Sequence, residues 1–115
     1  MSNSPDDFFA NQILEMRRGT IVLAILSQLT VPRYGYGLLQ QLEHADVPID
    51  AGTLYPLLRR LEKQGVLDSS WETSESRPRK YYQMNENGQK LYGQLIEEWA
   101  AMTNTLTKMI GEKNQ

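Results

Sequence analysis

Leu54, Leu57, Leu58 and Leu61 fall at i, i+3, i+4 and i+7, and two short β-type runs follow them directly. At about 100° per residue these four leucines share one helix face, so the spacing predicts a helix from Ala51 to Gln64. The opposite face carries Gly52, Pro56, Arg59, Arg60 and Lys63, with Thr53 and Tyr55 at its margins. Asp50 stands where an N-cap carboxylate accepts a backbone N–H, and Gly65 where a left-handed cap ends the helix. Pro56 cannot donate to the carbonyl four back, so it needs the first turn or a local kink. The runs Val66–Glu72 and Lys80–Met84 flank TSESRPR, the composition of a hairpin tip.

Upstream, Ile13 to Leu29 is strongly apolar and reads as one helix buried on most sides, ended by Pro32. A flexible polar tail is expected before it, over residues 1–10. A second helix starts near Tyr34 or Tyr36, with Leu38, Leu39 and Leu42 as its inner stripe. Asp46, Pro48 and Asp50 mark a break. Asn85 caps a long last helix over residues 85–115. The order helix, helix, helix, hairpin, helix is that of a winged helix-turn-helix, here over residues 11–84. The expected fold is mainly α with a small β-hairpin, followed by a long C-terminal dimerisation helix.

The 115 residues suit one domain. A net charge of −2 argues at first against a polyanion partner. The charge is unevenly spread, however. Residues 1–50 hold 3 basic and 6 acidic side chains, residues 51–84 hold 6 and 4, and residues 85–115 hold 3 and 4. A basic island thus sits between acidic flanks. The absence of cysteine excludes disulfides, thiol catalysis and thiolate zinc sites. His44 has no companion at metal-ligand spacing and reads as a solvated residue near a helix end, so no metal or cofactor is expected. Nor does it have an acid or nucleophile partner, and no phosphate loop is present, which argues against an enzyme. MSNSPDDFF lacks the basic and apolar regions of a signal peptide. The apolar run Ile21–Leu26 is far short of the ~20 residues of a membrane span. A cytoplasmic location follows as the expectation.

Basic residues gather on the two elements that a winged helix presents to DNA. Thr53, Tyr55 and Pro56, near the start of the third helix, are placed to touch base edges. Arg59, Arg60 and Lys63 are placed for phosphates, and Arg77, Arg79 and Lys80 add a basic wing. Any single one of these cations is more simply a solvated charge; their combination favours double-stranded DNA. The alternative is a winged-helix module that binds another protein through its hairpin edge or its last helix.

In the last helix Tyr92, Leu95, Trp99, Met102, Leu106 and Met109 follow one another at steps of 3, 4, 3, 4 and 3, with Ile96 and Ile110 flanking. That is an a/d seam. It packs either on this chain's own first helix or on a second subunit. So small a domain offers little internal surface, which favours a homodimer. A two-fold dimer sets two recognition helices about one DNA turn, ~34 Å, apart. Trp99 is either a core aromatic or, with its symmetry mate, one half of a clamp for a planar aromatic molecule. Met16 and Met102 suit adaptable walls for such a site.

The segments GTIVLAIL, RYGYGLLQQLE, TLYPLLRRLEKQGVL and RPRKYYQMNENG together resemble the PadR family of bacterial transcriptional regulators. The resemblance covers roughly residues 13–110, and the length is similar to the short subgroup with a single dimerising C-terminal helix. It implies a homodimeric repressor of inverted-repeat operators, released by a small aromatic effector. Tyr36, Thr53, Tyr55 and Arg59 match positions associated with DNA contact, and Arg77, Arg79 and Lys80 match the wing. Trp99 matches the indole that stacks flat drugs in multidrug-sensing members. Glu75 and Ser76 stand where the family's wing often has glycines, and Asn85 where it often has threonine. Thr103 stands where the multidrug sensors carry an acidic residue, so the resemblance does not imply a preference for cationic drugs.

Overall fold

The computed structural model describes residues 5–47, 49–74 and 76–113. Its elements are helices α1 (Pro5–Arg18) and α2 (Ile21–Gln28), strand β1 (Arg33–Tyr34), helices α3 (Gly35–His44) and α4 (Ala51–Lys63), strands β2 (Leu67–Glu72) and β3 (Arg79–Met84), and helix α5 (Glu86–Lys113). The expected winged helix and long last helix are both present. Pro48 and Glu75, singled out in the sequence, lie outside the described residues.

The leucine stripe of α4 forms the centre of the core. Leu54, Leu57, Leu58 and Leu61 are all buried, together with Ile25 and Leu26 of α2, and Leu38 and Leu42 of α3. Leu67, Tyr82 and Met84 close it from the wing. Each cap follows from its residue type. Asp50 Oδ1 accepts the Thr53 backbone N–H at 2.8 Å. Gly65 has φ +86, and at its end of α4 Gly65 N–H donates to the Glu62 carbonyl and Val66 N–H to that of Leu61. The turn between α3 and α4 holds Asp46 at φ 61, a left-handed conformation that aspartate tolerates.

Several features differ from the sequence expectation. The apolar stretch Ile13–Leu29 is two helices, because Gly19 and Thr20 interrupt it. α1 buries no residue against its own chain. Its helical state is supported by Asp6 and Asp7 in the first turn and Arg17 and Arg18 in the last, which complement the helix dipole. Helix begins at Pro5, so residues 5–10 are not a tail. α2 ends at Gln28, before Pro32; Arg33 Nε donates to the Gln28 carbonyl at 2.6 Å.

The sheet differs as well. β1 joins the hairpin to make a three-stranded antiparallel sheet in the order β1-β3-β2. Tyr34 faces Tyr81, and the β2–β3 register runs from Leu67 opposite Met84 to Glu72 opposite Arg79.

Asn85 launches α5. Its Oδ1 accepts the Gly88 N–H at 2.9 Å, and its Nδ2 donates to the Gly65 carbonyl at 3.0 Å and to Asp68 Oδ1 at 3.1 Å. A threonine caps with its oxygen but has no amide for the second pair of bonds. The first turns of α5 rest on the core through Leu91, Tyr92 and Leu95. Beyond them the helix leaves the body. The radius of gyration is 17.3 Å, against about 13 Å for a compact chain of this length. No helix among the described residues is long and apolar enough to cross a membrane.

A candidate nucleic-acid interface

The exposed face of α4 carries Thr53, Pro56, Arg59, Arg60 and Lys63 in solvent. Tyr55 is half-buried and lies across the start of α3. A Cβ on Gly35 would meet Tyr55 Cε1 at 2.4 Å, and one on Gly37 would meet Tyr34 Cε1 at 3.1 Å. The two glycines of the YGYG stretch thus admit the two tyrosine rings. Tyr36, between them, is exposed.

The wing is tied to α4 by one polar node. Glu62, in the last turn of α4, accepts from Ser69 Oγ of β2 and from Lys80 Nζ of β3, the latter at 3.1 Å. The Ser69 hydrogen bond, followed by the Lys80 bond and charge, holds the Glu62 carboxyl below its ordinary range despite partial burial. The Glu62 hydrogen bond holds the Lys80 ammonium above its ordinary range. Lys80 is therefore engaged in fixing the wing while it also lines the groove beside it.

The sign of each shift sets a pH dependence. A carboxyl whose folded value is depressed stabilises the fold above its unfolded value, and loses that contribution as pH falls through the folded one. A lysine whose folded value is raised stabilises below its unfolded value, and loses that contribution as pH rises through the folded one. Thermal unfolding followed against pH is therefore expected to show an acid and an alkaline limb that both shrink in Glu62→Gln. At neutral pH the loss is expected to stay near or below about 1 kcal/mol, as for other partly exposed pairs. Unchanged limbs in Glu62→Gln would mean that the node does not couple the wing to α4.

Arg79 lies over the Tyr34 ring at 4.8 Å, and Tyr34 packs on Tyr81 with centroids 5.7 Å apart. The stack presets the guanidinium beside an open groove between wing and recognition helix. That groove, about 500 Å³, is lined by Tyr34, Tyr36, Tyr55, Trp71, Arg77 and Arg79 among others. The structure thus gathers Tyr36, Tyr55, Arg77, Arg79 and Lys80 at one groove, and sets Thr53, Arg59 and Lys63 on the exposed face of α4. Sequence reasoning misses two residues here. Tyr34 lies on a two-residue strand, too short to leave a periodic signal, and Trp71 is a lone aromatic in an otherwise polar stretch of β2.

A second groove, about 410 Å³, lies between α2, α4 and α5. Trp99 and Met102 line it with Val22, Leu23, Leu91 and Leu95, and Arg60 of α4 and Gln64 at its C-cap border it as well. Of the expected effector residues, Met16 and Thr103 are not among its walls. Of the expected dimerisation residues, Tyr92 and Leu95 pack on this chain's own core. Ile96, Trp99, Met102, Leu106 and Met109 are left exposed.

Residues 22–94 match the model of the transcriptional regulator PadR-like family. A crystal structure of a PadR family transcriptional regulator from Eggerthella lenta is similar at 43% identity and a TM-score of 0.87, covering 91% of this chain and 94% of that one. A transcriptional regulator from Clostridium thermocellum is similar at 33% identity and a TM-score of 0.73, covering 82% and 96%. A PadR-like transcriptional regulator from Bacillus cereus, 24% identical, shares the fold at a TM-score of 0.73, covering 84% and 96%. No curated protein sequence matches.

Proposed function

The chain belongs to the PadR-like family of transcriptional regulators, and from that premise we propose that it is a cytoplasmic, homodimeric repressor of inverted-repeat operators, released by a small planar aromatic effector. The observation that carries DNA binding is the continuity of two basic surfaces. The solvent face of α4 and the groove beside the wing are held in one arrangement by Glu62, Ser69 and Lys80. In this reading Thr53, Tyr55 and Pro56 meet base edges, Arg59, Arg60 and Lys63 meet phosphates, and Tyr36, Arg77 and Arg79 flank them.

The dimer reading rests on the apolar stripe left uncovered along α5, and on an α1 that buries nothing within its own chain. The effector reading rests on the groove at Trp99 and Met102. Arg60 of α4 and Gln64, the residue that caps its C-terminus, border that groove. An occupant that prefers one pose of α4 shifts the population away from the DNA-competent arrangement.

Gel-shift titration on duplexes selected from a random pool tests the reading. Affinity is expected to fall steeply with salt, because phosphate contacts release counterions. Arg59→Ala should weaken binding to all duplexes and reduce the salt slope by about one for each phosphate it no longer neutralises. Thr53 and Tyr55 substitutions should instead reorder preference among duplexes by about 1–3 kcal/mol. Planar aromatics should release the native protein and not Trp99→Ala. Binding that is undetectable or indifferent to salt would overturn the DNA reading.

A further inference from the structure

We propose that Trp71 is a DNA-contacting residue whose indole packs on the deoxyribose–phosphate strand that Arg77 and Arg79 hold in the groove beside α4. The inference rests on the DNA-binding reading above and adds a contact to it.

Side chains alternate along β2, so Leu67, Ser69 and Trp71 share one face. Leu67 is buried in the core and Ser69 is bonded to Glu62 of α4, so this face is turned toward the recognition helix. Trp71 continues the same face beyond the packed region. It is 62% exposed, and it makes no ring contact among the described residues. The register sets it opposite Lys80, whose charge is already met by Glu62.

A single exposed apolar side chain is ordinary. This one is set into a groove wall with the Tyr36 and Tyr55 rings and the two wing arginines. Such a wall alternates flat apolar surface with positive charge, as a nucleic-acid backbone does with sugar and phosphate. The indole face suits the deoxyribose, and Nε1–H, a donor only, suits a phosphate oxygen. Glu72, the neighbouring carboxylate, accepts the Ser74 backbone N–H.

A backbone contact of this kind positions the duplex without reading its sequence. An uncharged side chain also displaces no counterion of its own. The contact therefore has a signature distinct from those of Arg59 and Thr53: lower affinity on every duplex, with salt slope and sequence order unchanged.

The full chain labelled with 5-fluorotryptophan has two tryptophan signals in 19F NMR, assigned by Trp71→Phe. Adding a selected duplex is expected to move the Trp71 signal. Trp71→Ala is expected to bind about tenfold more weakly, comparable to alanine removal of other stacking aromatics. Trp71→Phe should retain part of the affinity, and it guards against a folding loss in the alanine variant. The proposal is overturned if the native protein binds duplex while the Trp71 signal stays in place and Trp71→Ala binds within about twofold. It is also overturned if Trp71→Ala changes sequence preference. If the native protein binds no duplex at all, the DNA reading itself falls, and this contact with it.

Discussion

Gly88→Ala is expected to lower the melting temperature by about 10 °C, the consequence of about 2–3 kcal/mol of overpacking in a domain of this size. A Cβ at residue 88 would lie 2.2 Å from the Val66 carbonyl oxygen and 3.2 Å from Met84 Cβ. The Val66 oxygen belongs to the backbone and also accepts the Asn85 N–H at 3.3 Å. Neither it nor the first turn of α5 can give way alone, so the helix start must lift from the seam between α4 and the wing. The same substitution elsewhere in α5 has the opposite sign. At Gly93 and Gly111 an added Cβ meets nothing within 4 Å. Both point away from the Trp99–Leu106 stripe at 100° per residue. Alanine there relieves the conformational cost of a helical glycine, and each variant is expected to gain about 0.5–1 kcal/mol. Calorimetry on the three variants checks the contrast. A neutral Gly88→Ala would mean that α5 is not locked at its start.

The α4–wing unit was legible in the sequence because each of its signals is local. Leucines at helical spacing, Asp50 before them and Gly65 after them act within one turn of their own position. The departures arise where tertiary placement decides. Apolar residues on both sides of Gly19 and Thr20 disguise two helices with different burial as one run. Asp6 and Asp7 after Pro5 are a helix-start signal that the polar composition of the first residues obscured. β1 has only two residues and exists because β3 offers it an edge. The Glu62–Lys80 bond left no trace in the sequence, because the two residues are 18 apart. The seam of α5 was visible as a pattern. Its division was not, because that depends on where the body of the protein ends: Tyr92 and Leu95 lie against the core and Trp99 onward do not.

Leu106→Glu is expected to convert the protein to a monomer and to lower its affinity for a two-half-site duplex by about 10²–10⁴-fold. Leu106 is 56% exposed in the single chain, so a glutamate there leaves the fold and the helical circular dichroism unchanged. Its effect falls on assembly. In a two-fold seam each side chain faces its own surroundings repeated, so the substitution introduces two desolvated carboxylates into one apolar contact. Lys108→Glu, on the opposite side of the same helix, alters the same net charge by more and is expected to stay dimeric. Sedimentation equilibrium separates the two. The weaker binding to DNA then follows from geometry. In the proposed dimer each protomer carries one recognition helix, and the second half-site binds as an intramolecular event only while α5 joins the pair. A monomer keeps its phosphate contacts at one half-site and hence about half the salt slope of the dimer. If Leu106→Glu remains a dimer, the exposed stripe of α5 is not the interface, and the inverted-repeat reading loses its structural support.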